Sequence, residues 1–352
     1  RAYVTNWNDG TLSVVETSSM KLVRTVDLNA ALVAGGYLGE LQPRAALAHP
    51  RSVAVGDGVL YVTEFYAQQL EAEQADGSNA DTHKVGVVYK ITLPDWNVST
   101  LQLSALSDMT FRDDKRGQAG CYPNQLQSIT LLGKYAYVVS VCAAPEGPEG
   151  IVVTQTQCQS VDDCRAPELK LVDPVCDVVA QGKPAVCQDV ANLKTATSPV
   201  ISVIDVEQGK EVPNAAQNLN ARFDAFFKAN KVAAQKFPLF ATDLAFVPGT
   251  GVGYVAGNAI DAVFRVVYDA ASGKLLDVGS STSPFINLFP TGKGPVGLAI
   301  GKADKKFALV ANNTTRNVVA VNFNTQAIAG DSMSPVATLT SVLFLGGWLS
   351  PV

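Results

Sequence analysis

The pentapeptide AYVTN at residues 2–6 decides the fold, because variants of it return later in the chain. Each variant combines an apolar or aromatic start, a central Val and a polar finish. The later variants are LYVTE at 60–64, AYVVS at 136–140, GYVAGN at 253–258 and ALVANN at 308–313. After each one comes a polar turn and a second alternation of Val or Ile with small or polar residues, as in TLSVVE at 11–16. This period of two is typical of a strand with one buried face.

Two further segments complete most of these units. Preceding strands are predicted at RSVAV 51–55, LQSITL 126–131, DLAFV 243–247 and VGLAI 296–300. Closing strands are predicted at KLVRTVDL 21–28, NVSTLQL 97–103 and KLLDV 274–278. Four antiparallel strands repeated along a chain are the organisation of a propeller blade. A β-sandwich is the alternative, but it would not repeat a whole four-stranded unit.

The sequence therefore predicts an all-β protein, a β-propeller in a single domain over residues 1–352. About five four-stranded blades are recognisable. The chain opens on what resembles the second strand of a blade, and seven blades are the commonest closure. Either SPVATLTSVLFL at 334–345 supplies the missing strand, or further blades precede Arg1. We favour the second alternative, which gives seven blades when completed upstream.

Tyr3, Val4, Thr5 and Asn6 spell the tetrapeptide for which a family is named, and the chain resembles the YVTN family of β-propellers. The resemblance implies the propeller architecture over most of the chain. Such propellers occur in surface-layer proteins, lactonases, cytochrome-linked proteins and other exported bacterial proteins. None of the family's catalytic residues can be carried over to this sequence by motif.

Charge and hydropathy exclude two classes of partner. Lys and Arg number 27 against 32 Asp and Glu, a net charge of -5, so we expect no nucleic-acid partner. No apolar run reaches the roughly 18 residues that a membrane-spanning helix needs, so we expect no membrane span.

All six cysteines lie between residues 121 and 187, and an even, clustered set predicts disulfides made in an oxidising compartment. We therefore expect an extracellular, cell-surface or periplasmic protein. A metal site would require short CxxC pairs or nearby His, which the sequence lacks. Cys121 and Cys142 flank a tight turn near Gly133 and are predicted to bridge that hairpin, with a Cα separation of roughly 4.4 to 6.8 Å.

Four insertions are predicted, at 29–49, 71–83, 143–198 and 213–238, and the last two stand out. Residues 143–198, inside the third blade, hold the other four cysteines and few large apolar residues, so disulfides must hold their shape. Three pairings of these four stay open: Cys158, Cys164, Cys176 and Cys187. Residues 213–238 change to a helical period, with a start predicted at Asn214 and a stop at Pro238. The apolar stripe of this helix is expected to pack on the propeller. A docking helix for a partner is the alternative. That stripe consists of Leu219, Phe223, Phe226 and Phe227.

Candidate metal ligands are few. The acidic stretch at 71–83 carries closely spaced oxygen donors, including Asp76 and Asp81, which could bind a calcium ion. A solvated loop without a metal is the favoured alternative. His49 and His83 each precede a strand of the second blade and could share an ion on one rim. We favour independent surface histidines, because first-row metal sites usually require three or more ligands. We expect no bound cofactor.

Catalytic motifs are also missing from the sequence. Two histidines cannot build a multi-imidazole copper cluster, and CxxCH, the haem attachment motif, does not occur. There is no G-x-S-x-G elbow either.

The default ligand site is the mouth of the axial channel, where the inner strands begin. We expect Arg51, Gln125 and Asp243 there. The polar residues that finish the repeated pentapeptide are expected nearby, although capping of strands and turns is their favoured role. These finishing residues are Asn6, Glu64, Asn258 and Asn312.

These observations predict a non-catalytic exported propeller that acts as a binding, structural or surface-assembly module. Its insertions would contact a protein partner or another copy of the chain. One alternative is a lactonase-like hydrolase with its site in the axial channel. Another is the propeller part of a cytochrome-linked electron-transfer protein.

Overall fold

A computed structural model describes most of the chain, and nearly all of its regular structure is strand. The described residues are 1–37, 47–75, 77–107, 120–145, 152–169, 171, 174–178, 181–189, 197–232, 236–279, 288–301, 307–323 and 327–332. The two α-helices are α1 (Asn29–Ala34) and α2 (Leu219–Ala229). Short 3-10 helices occur at Val161–Arg165, Pro167–Leu169 and Asn258–Ile260.

The first two sheets are antiparallel and follow the chain order. The first sheet consists of β1 (Ala2–Asn6), β2 (Thr11–Glu16) and β3 (Lys21–Asp27), in that order. The second contains β4 (Pro50–Gly56), β5 (Val59–Glu64), β6 (Gln68–Gln69), β7 (Lys84–Thr92) and β8 (Asn97–Leu103). Its order is β4-β5-β7-β8, with the short β6 also paired to β7.

The third sheet is interrupted by the cysteine-rich insertion. Its first two strands are β9 (Tyr122–Leu132) and β10 (Tyr135–Ala143). The insertion then forms a separate three-stranded sheet of β11 (Val152–Gln157), β12 (Pro174–Val178) and β13 (Ala185–Asp189). The third sheet resumes with β14 (Thr197–Asp205), β15 (Lys210–Glu211) and β16 (Gln217–Asn218), and α2 follows.

The fourth and fifth sheets repeat the same order. The fourth contains β17 (Ala241–Phe246), β18 (Val252–Gly257), β19 (Ala262–Tyr268), β20 (Leu275–Val278) and β21 (Leu288–Pro290). The fifth contains β22 (Pro295–Ile300), β23 (Phe307–Asn312), β24 (Asn317–Asn322) and β25 (Ala327–Ser332).

Four sheets begin with an inner strand, and these inner strands pack side by side: β4 against β9, β9 against β17, and β17 against β22. Hydrogen bonds join equivalent positions of neighbouring strands. The Ile129 amide donates to Ser52 Oγ at 3.3 Å, and the Leu298 amide donates to Asp243 Oδ2 at 2.7 Å. Sheets that share an axis in this way form a β-propeller, as the repeat predicts.

Apolar clusters lie between successive sheets and exclude the sandwich alternative. One cluster joins Leu60 and Val62 of the second sheet to Leu12 of the first. Another joins Tyr61 of the second sheet to Leu126 of the third. Equivalent clusters join the third sheet to the fourth and the fourth to the fifth. Each described blade therefore keeps water from its neighbour's apolar face. The segment 334–345 lies outside the described residues, and the total number of blades stays a prediction.

The helical insertion differs from its prediction at both ends. The predicted start at Asn214 is wrong, because Asn214 has φ +56° and the chain then pairs as β16 with β14. The helix begins at Leu219, and the Asn218 side chain caps it by accepting from the Asn220 amide. It ends at Ala229, before the predicted stop at Pro238. Phe223 and Phe227 are buried in the core between the third and fourth sheets, which supports packing on the propeller over a docking helix.

The antiparallel order places all the long connections on the same face. One face, here called the turn face, carries the connections 17–20, 57–58, 93–96, 133–134, 206–209, 247–251, 269–274, 301–306 and 323–326. The strand ends at the opposite face, here called the insertion face, border the long connections 28–49, 65–83, 104–121, 144–196, 212–240 and 279–294 and the short connections 7–10, 258–261 and 313–316. All four predicted insertions therefore emerge on one side of the propeller.

All six cysteines are paired. The predicted bridge joins Cys121 and Cys142 with a Cα separation of 5.5 Å. The pairings that sequence left open are Cys158 with Cys176 and Cys164 with Cys187. Both of these disulfides cross-link the inserted sheet, in which Cys176 lies directly opposite Cys187. None of the helices in the described segments is long and apolar enough to cross a membrane.

Removing different disulfides is expected to have different consequences. Cys164→Ser with Cys187→Ser should expose the chain within 152–189 to limited proteolysis and leave the propeller's thermal midpoint nearly unchanged. Cys121→Ala with Cys142→Ala, inside a propeller sheet, should lower the free energy of unfolding by roughly 2–4 kcal/mol. Equal losses of global stability in both double variants would contradict this assignment.

The hydrogen bond from β22 to Asp243 is expected to stabilise the packing of the fourth and fifth sheets. Asp243→Ala leaves the Leu298 amide without its acceptor and should lower the free energy of unfolding by about 1–3 kcal/mol in urea titrations. Asp277→Ala is the matched control, because Asp277 is exposed and accepts a hydrogen bond from the next amide in its own strand. A loss no larger than that of the control would show that the inter-sheet bond is dispensable.

Candidate functional site

The predicted axial residues lie at the insertion-face ends of the inner strands. Arg51 is the second residue of β4 and is exposed, and its carbonyl accepts a hydrogen bond from Thr5 Oγ1 at 3.2 Å. Gln125 is half-buried near the start of β9 with φ +46°. Asp243 is the third residue of β17. The three therefore belong to three successive inner strands.

Three of the predicted finishing residues bond to their own or the next sheet. Asn6 Nδ2 donates to Thr11 Oγ1 at 3.0 Å and Ser13 Oγ at 2.8 Å. Asn258 Nδ2 donates to the Pro295 carbonyl at 3.2 Å, and the buried Asn312 donates to the Val310 carbonyl at 3.3 Å. These contacts tie strands together, which favours the capping role over ligand contact.

Glu64 occupies the same place in its repeat as Asn6 and Asn312 do in theirs but behaves differently. Its side chain is fully buried, and Oε2 accepts from the Tyr89 hydroxyl at 2.7 Å and the His49 amide at 2.8 Å. Oε1 accepts from the Tyr66 amide at 3.4 Å. Burial outweighs these bonds and raises the pKa of Glu64 to about 7. Burial and the adjacent Glu64 also raise the pKa of Tyr89, so its hydroxyl stays protonated and donates.

Four rings meet above Glu64 on the insertion face, and we call them the aromatic shelf: Trp7, His49, Phe65 and Tyr66. Trp7 follows β1, His49 precedes β4, and Phe65 and Tyr66 follow β5. The Trp7 ring centroid lies 4.7 Å from Phe65, 5.3 Å from His49 and 5.9 Å from Tyr66, all edge to face. Such edge-to-face contacts are favourable and hold the rings in one arrangement.

Backbone bonds fix the shelf to the surrounding strands. The Phe65 amide donates to the His49 carbonyl at 3.0 Å, and the Phe65 carbonyl accepts from the Leu126 amide at 3.1 Å. The Ala67 amide donates to Asn124 Oδ1 at 2.9 Å. The shelf therefore joins the first two sheets and is hydrogen-bonded to the third, which holds it in place.

The shelf is partly open to solvent. Tyr66 is 45% exposed, and the His49 side chain is 23% exposed. Asn8 and Asp9, directly after Trp7, are exposed, as is Arg51 two residues after His49. Exposed residues that can donate and accept hydrogen bonds thus adjoin the shelf residues in the chain.

Sequence reasoning missed three shelf residues, Trp7, Phe65 and Tyr66, although a signal was present. An aromatic residue follows the finishing polar residue directly in the first two repeats, as Trp7 after Asn6 and Phe65 after Glu64. The later repeats have Val141, Asn258 and Asn313 at or near this place. What sequence could not show is that the first two repeats lie side by side and bring these rings together.

Asp243 is the carboxylate that the structure places on an inner strand near the axis. Oδ1 accepts from the Leu244 amide at 2.9 Å and Oδ2 from the Leu298 amide at 2.7 Å. Burial raises its pKa to about 6, against the opposing effects of these bonds, of Ser128 and of the Arg51 charge. Both oxygens accept hydrogen bonds from backbone amides, so the carboxylate links the fourth sheet to the fifth.

The two histidines have different surroundings. His83 is buried, contrary to its prediction as a surface residue, because its ring packs inside the 71–83 loop. Its Nδ1 lies 3.1 Å from the Asn79 carbonyl and 3.0 Å from that of Ala80, and Nε2 lies 3.7 Å from Glu73 Oε2. His49 Nδ1 instead lies 3.8 Å from Glu64 Oε1.

The 71–83 loop is folded around a buried amide. Asn79 accepts from the Gln74 amide at 2.8 Å and donates to Glu71 Oε1 and the Ala72 carbonyl. Asp81 is buried as well. Asp76 lies outside the described residues, and calcium at this loop stays a prediction. Across the described segments, the group of three clustered metal-type ligands is Cys158, Cys164 and Cys187, whose sulfurs are all in disulfides.

Comparisons with known proteins found similar solved structures and no match in sequence. No protein-family model matches the sequence, and no curated protein matches it. A protein of unknown function from Desulfotomaculum acetoxidans is 11% identical with a TM-score of 0.46, covering 95% of this chain and 66% of that one. The periplasmic gluconolactonase of Pseudomonas aeruginosa is 15% identical with a TM-score of 0.34, covering 94% and 82%. Hydrazine synthase of Kuenenia stuttgartiensis is 12% identical with a TM-score of 0.33, covering 91% of each chain.

Glu64 is expected to make stability depend on pH. Its pKa is about 7 in the folded chain against an ordinary 4.5, so its contribution to stability is fully present below pH 4.5 and is lost as pH rises towards 7. Glu64→Gln removes this titration. The free energy of unfolding of the variant relative to the unmodified chain should therefore rise by about 1–3 kcal/mol across that window.

Urea titrations at pH 4.5, 5.5, 6.5 and 7.5 measure this difference. Glu207→Gln is the control, because Glu207 is largely exposed and should show a nearly flat difference. A flat or falling difference for Glu64→Gln would rule out the raised pKa.

Proposed function

We propose that this chain is an exported, non-catalytic β-propeller that binds its ligand through the insertion face, with the aromatic shelf as the central contact. The observation that carries the proposal is the joint placement of the shelf and of every large insertion on one face. Binding residues concentrate on loops positioned by a rigid scaffold, and here the scaffold presents its long loops in a single direction.

Three disulfides support the assignment to an oxidising compartment. The inserted sheet has two of them and few large apolar residues, so it depends on covalent staples that a reducing cytosol would not maintain. The YVTN-type repeat supports the same assignment, because the family includes many exported bacterial propellers. The cell surface and the periplasm both fit this argument.

The use of the buried carboxylates supports binding over hydrolysis. Glu64 bonds two backbone amides and a tyrosine hydroxyl, and Asp243 bonds two backbone amides on adjacent sheets. A general acid or base must reach a substrate proton. Glu64 is fully buried beneath the shelf, and both Asp243 oxygens are occupied, so each group serves the scaffold in this arrangement.

Oriented immobilisation tests which face binds. All native cysteines are paired, so a single added cysteine allows attachment at one point. Asp57→Cys, on the turn face, should leave the insertion face free and capture material from the envelope fraction of the source cells. Asn8→Cys, beside the shelf, should block capture at least about tenfold, since an obstructed site cannot bind.

The controls separate binding from catalysis. Both tethered variants must keep the thermal midpoint of the unmodified chain. Equal capture in the two orientations would refute the insertion face as the binding face. Hydrolysis of glucono-δ-lactone above a heat-denatured control would instead establish the lactonase alternative.

A further inference from the structure

We infer that the aromatic shelf binds a neutral saccharide chain, with a sugar ring stacked on Tyr66 and Trp7 and its hydroxyls bonded to the polar residues beside them. This inference rests on the proposed function and names the ligand class of the same site.

The first step is the shape of the open aromatic surface. Tyr66 is 45% exposed, and the other three rings are partly exposed around it. The exposed area is therefore small, about the width of one or two rings. A stable protein–protein interface buries roughly 800 Å² on each partner around an apolar centre. A sugar ring requires less, because its apolar surface is one face of C–H groups.

The second step is the chemistry at the edge of the shelf. Asn8, Asp9 and Arg51 are exposed within two residues of Trp7 or His49. Together they offer amide, carboxylate and guanidinium groups, which both donate to and accept from hydroxyls. A polyol bonds to all three types. Acidic and basic groups also occur together, so the surface favours neither an anionic nor a cationic ligand.

The third step is rigidity. Glu64 bonds the His49 and Tyr66 amides, and Asn124 bonds the Ala67 amide, so the segments that carry the rings are fixed before a ligand arrives. Preorganised aromatic residues lower the entropic cost of binding. A weak ligand with few contacts per residue, such as a saccharide, gains most from this arrangement.

The test uses the full chain and four defined probes in isothermal titration calorimetry and tryptophan fluorescence. Three probes are hexasaccharides of β-1,4-linked glucose, β-1,4-linked N-acetylglucosamine and α-1,6-linked mannose. The fourth is a polyproline octapeptide, because proline-rich peptides also bind aromatic surfaces. We expect at least one hexasaccharide to bind and to change the tryptophan emission, and the octapeptide not to bind.

Variants assign the binding to the shelf. Tyr66→Ala should lower the association constant about tenfold or more, whereas Tyr66→Phe, which keeps the ring, should retain it within about threefold. Trp7→Phe should abolish the emission change. Trp96→Phe is the matched control, because Trp96 lies on the turn face in the connection 93–96, under Arg24.

Each remaining outcome overturns the inference. These outcomes are no binding of any hexasaccharide, saccharide binding that Tyr66→Ala leaves unchanged, and binding of the octapeptide alone. If capture still depends on the tethering orientation while all saccharides fail, the insertion face remains the binding face and only the ligand class is wrong. If orientation has no effect, the proposed function fails as well.

Discussion

The structure depends on one constraint: each blade has two apolar faces, and neither can be left to water. The apolar clusters accordingly lie between sheets, as where Tyr137 of the third sheet and Phe264 of the fourth belong to one core. Full burial of one such side chain contributes about 1.5–3 kcal/mol, so the contacts between blades supply much of the stability. Radial packing satisfies this requirement and leaves each sheet only short edges.

The inner strands add polar specificity to this apolar packing. Ser52 and Asp243 occupy equivalent places in their blades, and each accepts from an amide of the next inner strand. These bonds fix the position of each blade relative to the next one along the propeller axis. Because all inner strands then run the same way, the connections from second to third strands and between blades emerge together. The concentration of insertions on one face therefore follows from strand direction.

Much of the fold could be predicted because its signals are local. Alternation over five or six residues identifies a strand, and the return of AYVTN identifies the blade. The Cys121–Cys142 bridge followed from counting outward from Gly133. The start of α2 could not be found in this way, since it depends on the pairing of Gln217 with Ile201, a contact between strands that local alternation does not reveal.

The candidate site was harder to predict, because its parts come from three segments. Glu64 was recognised as a polar finishing residue, yet its burial depends on Tyr89 and on packing between sheets. Trp7 and Tyr66 are far apart in sequence and meet only because the first two blades are neighbours. The burial of His83 has a different and local cause, since the loop that encloses it closes around the Asn79 side chain.

The five repeats allow one further step, because they place different residues in the same structural position. That position is filled by Asn6, Glu64, Ser140, Gly257 and Asn312. Neutral or absent side chains are sufficient to end the strand in four of the five, so the strand end itself does not require a carboxylate. Burying Glu64 is costly, as its raised pKa shows, and its bonds lead to His49, Tyr66 and Tyr89. Among the five equivalent positions, only Glu64 carries this cost, and Glu64 lies beneath the aromatic shelf. A buried carboxylate at one of five equivalent positions therefore indicates a role that is local to that position.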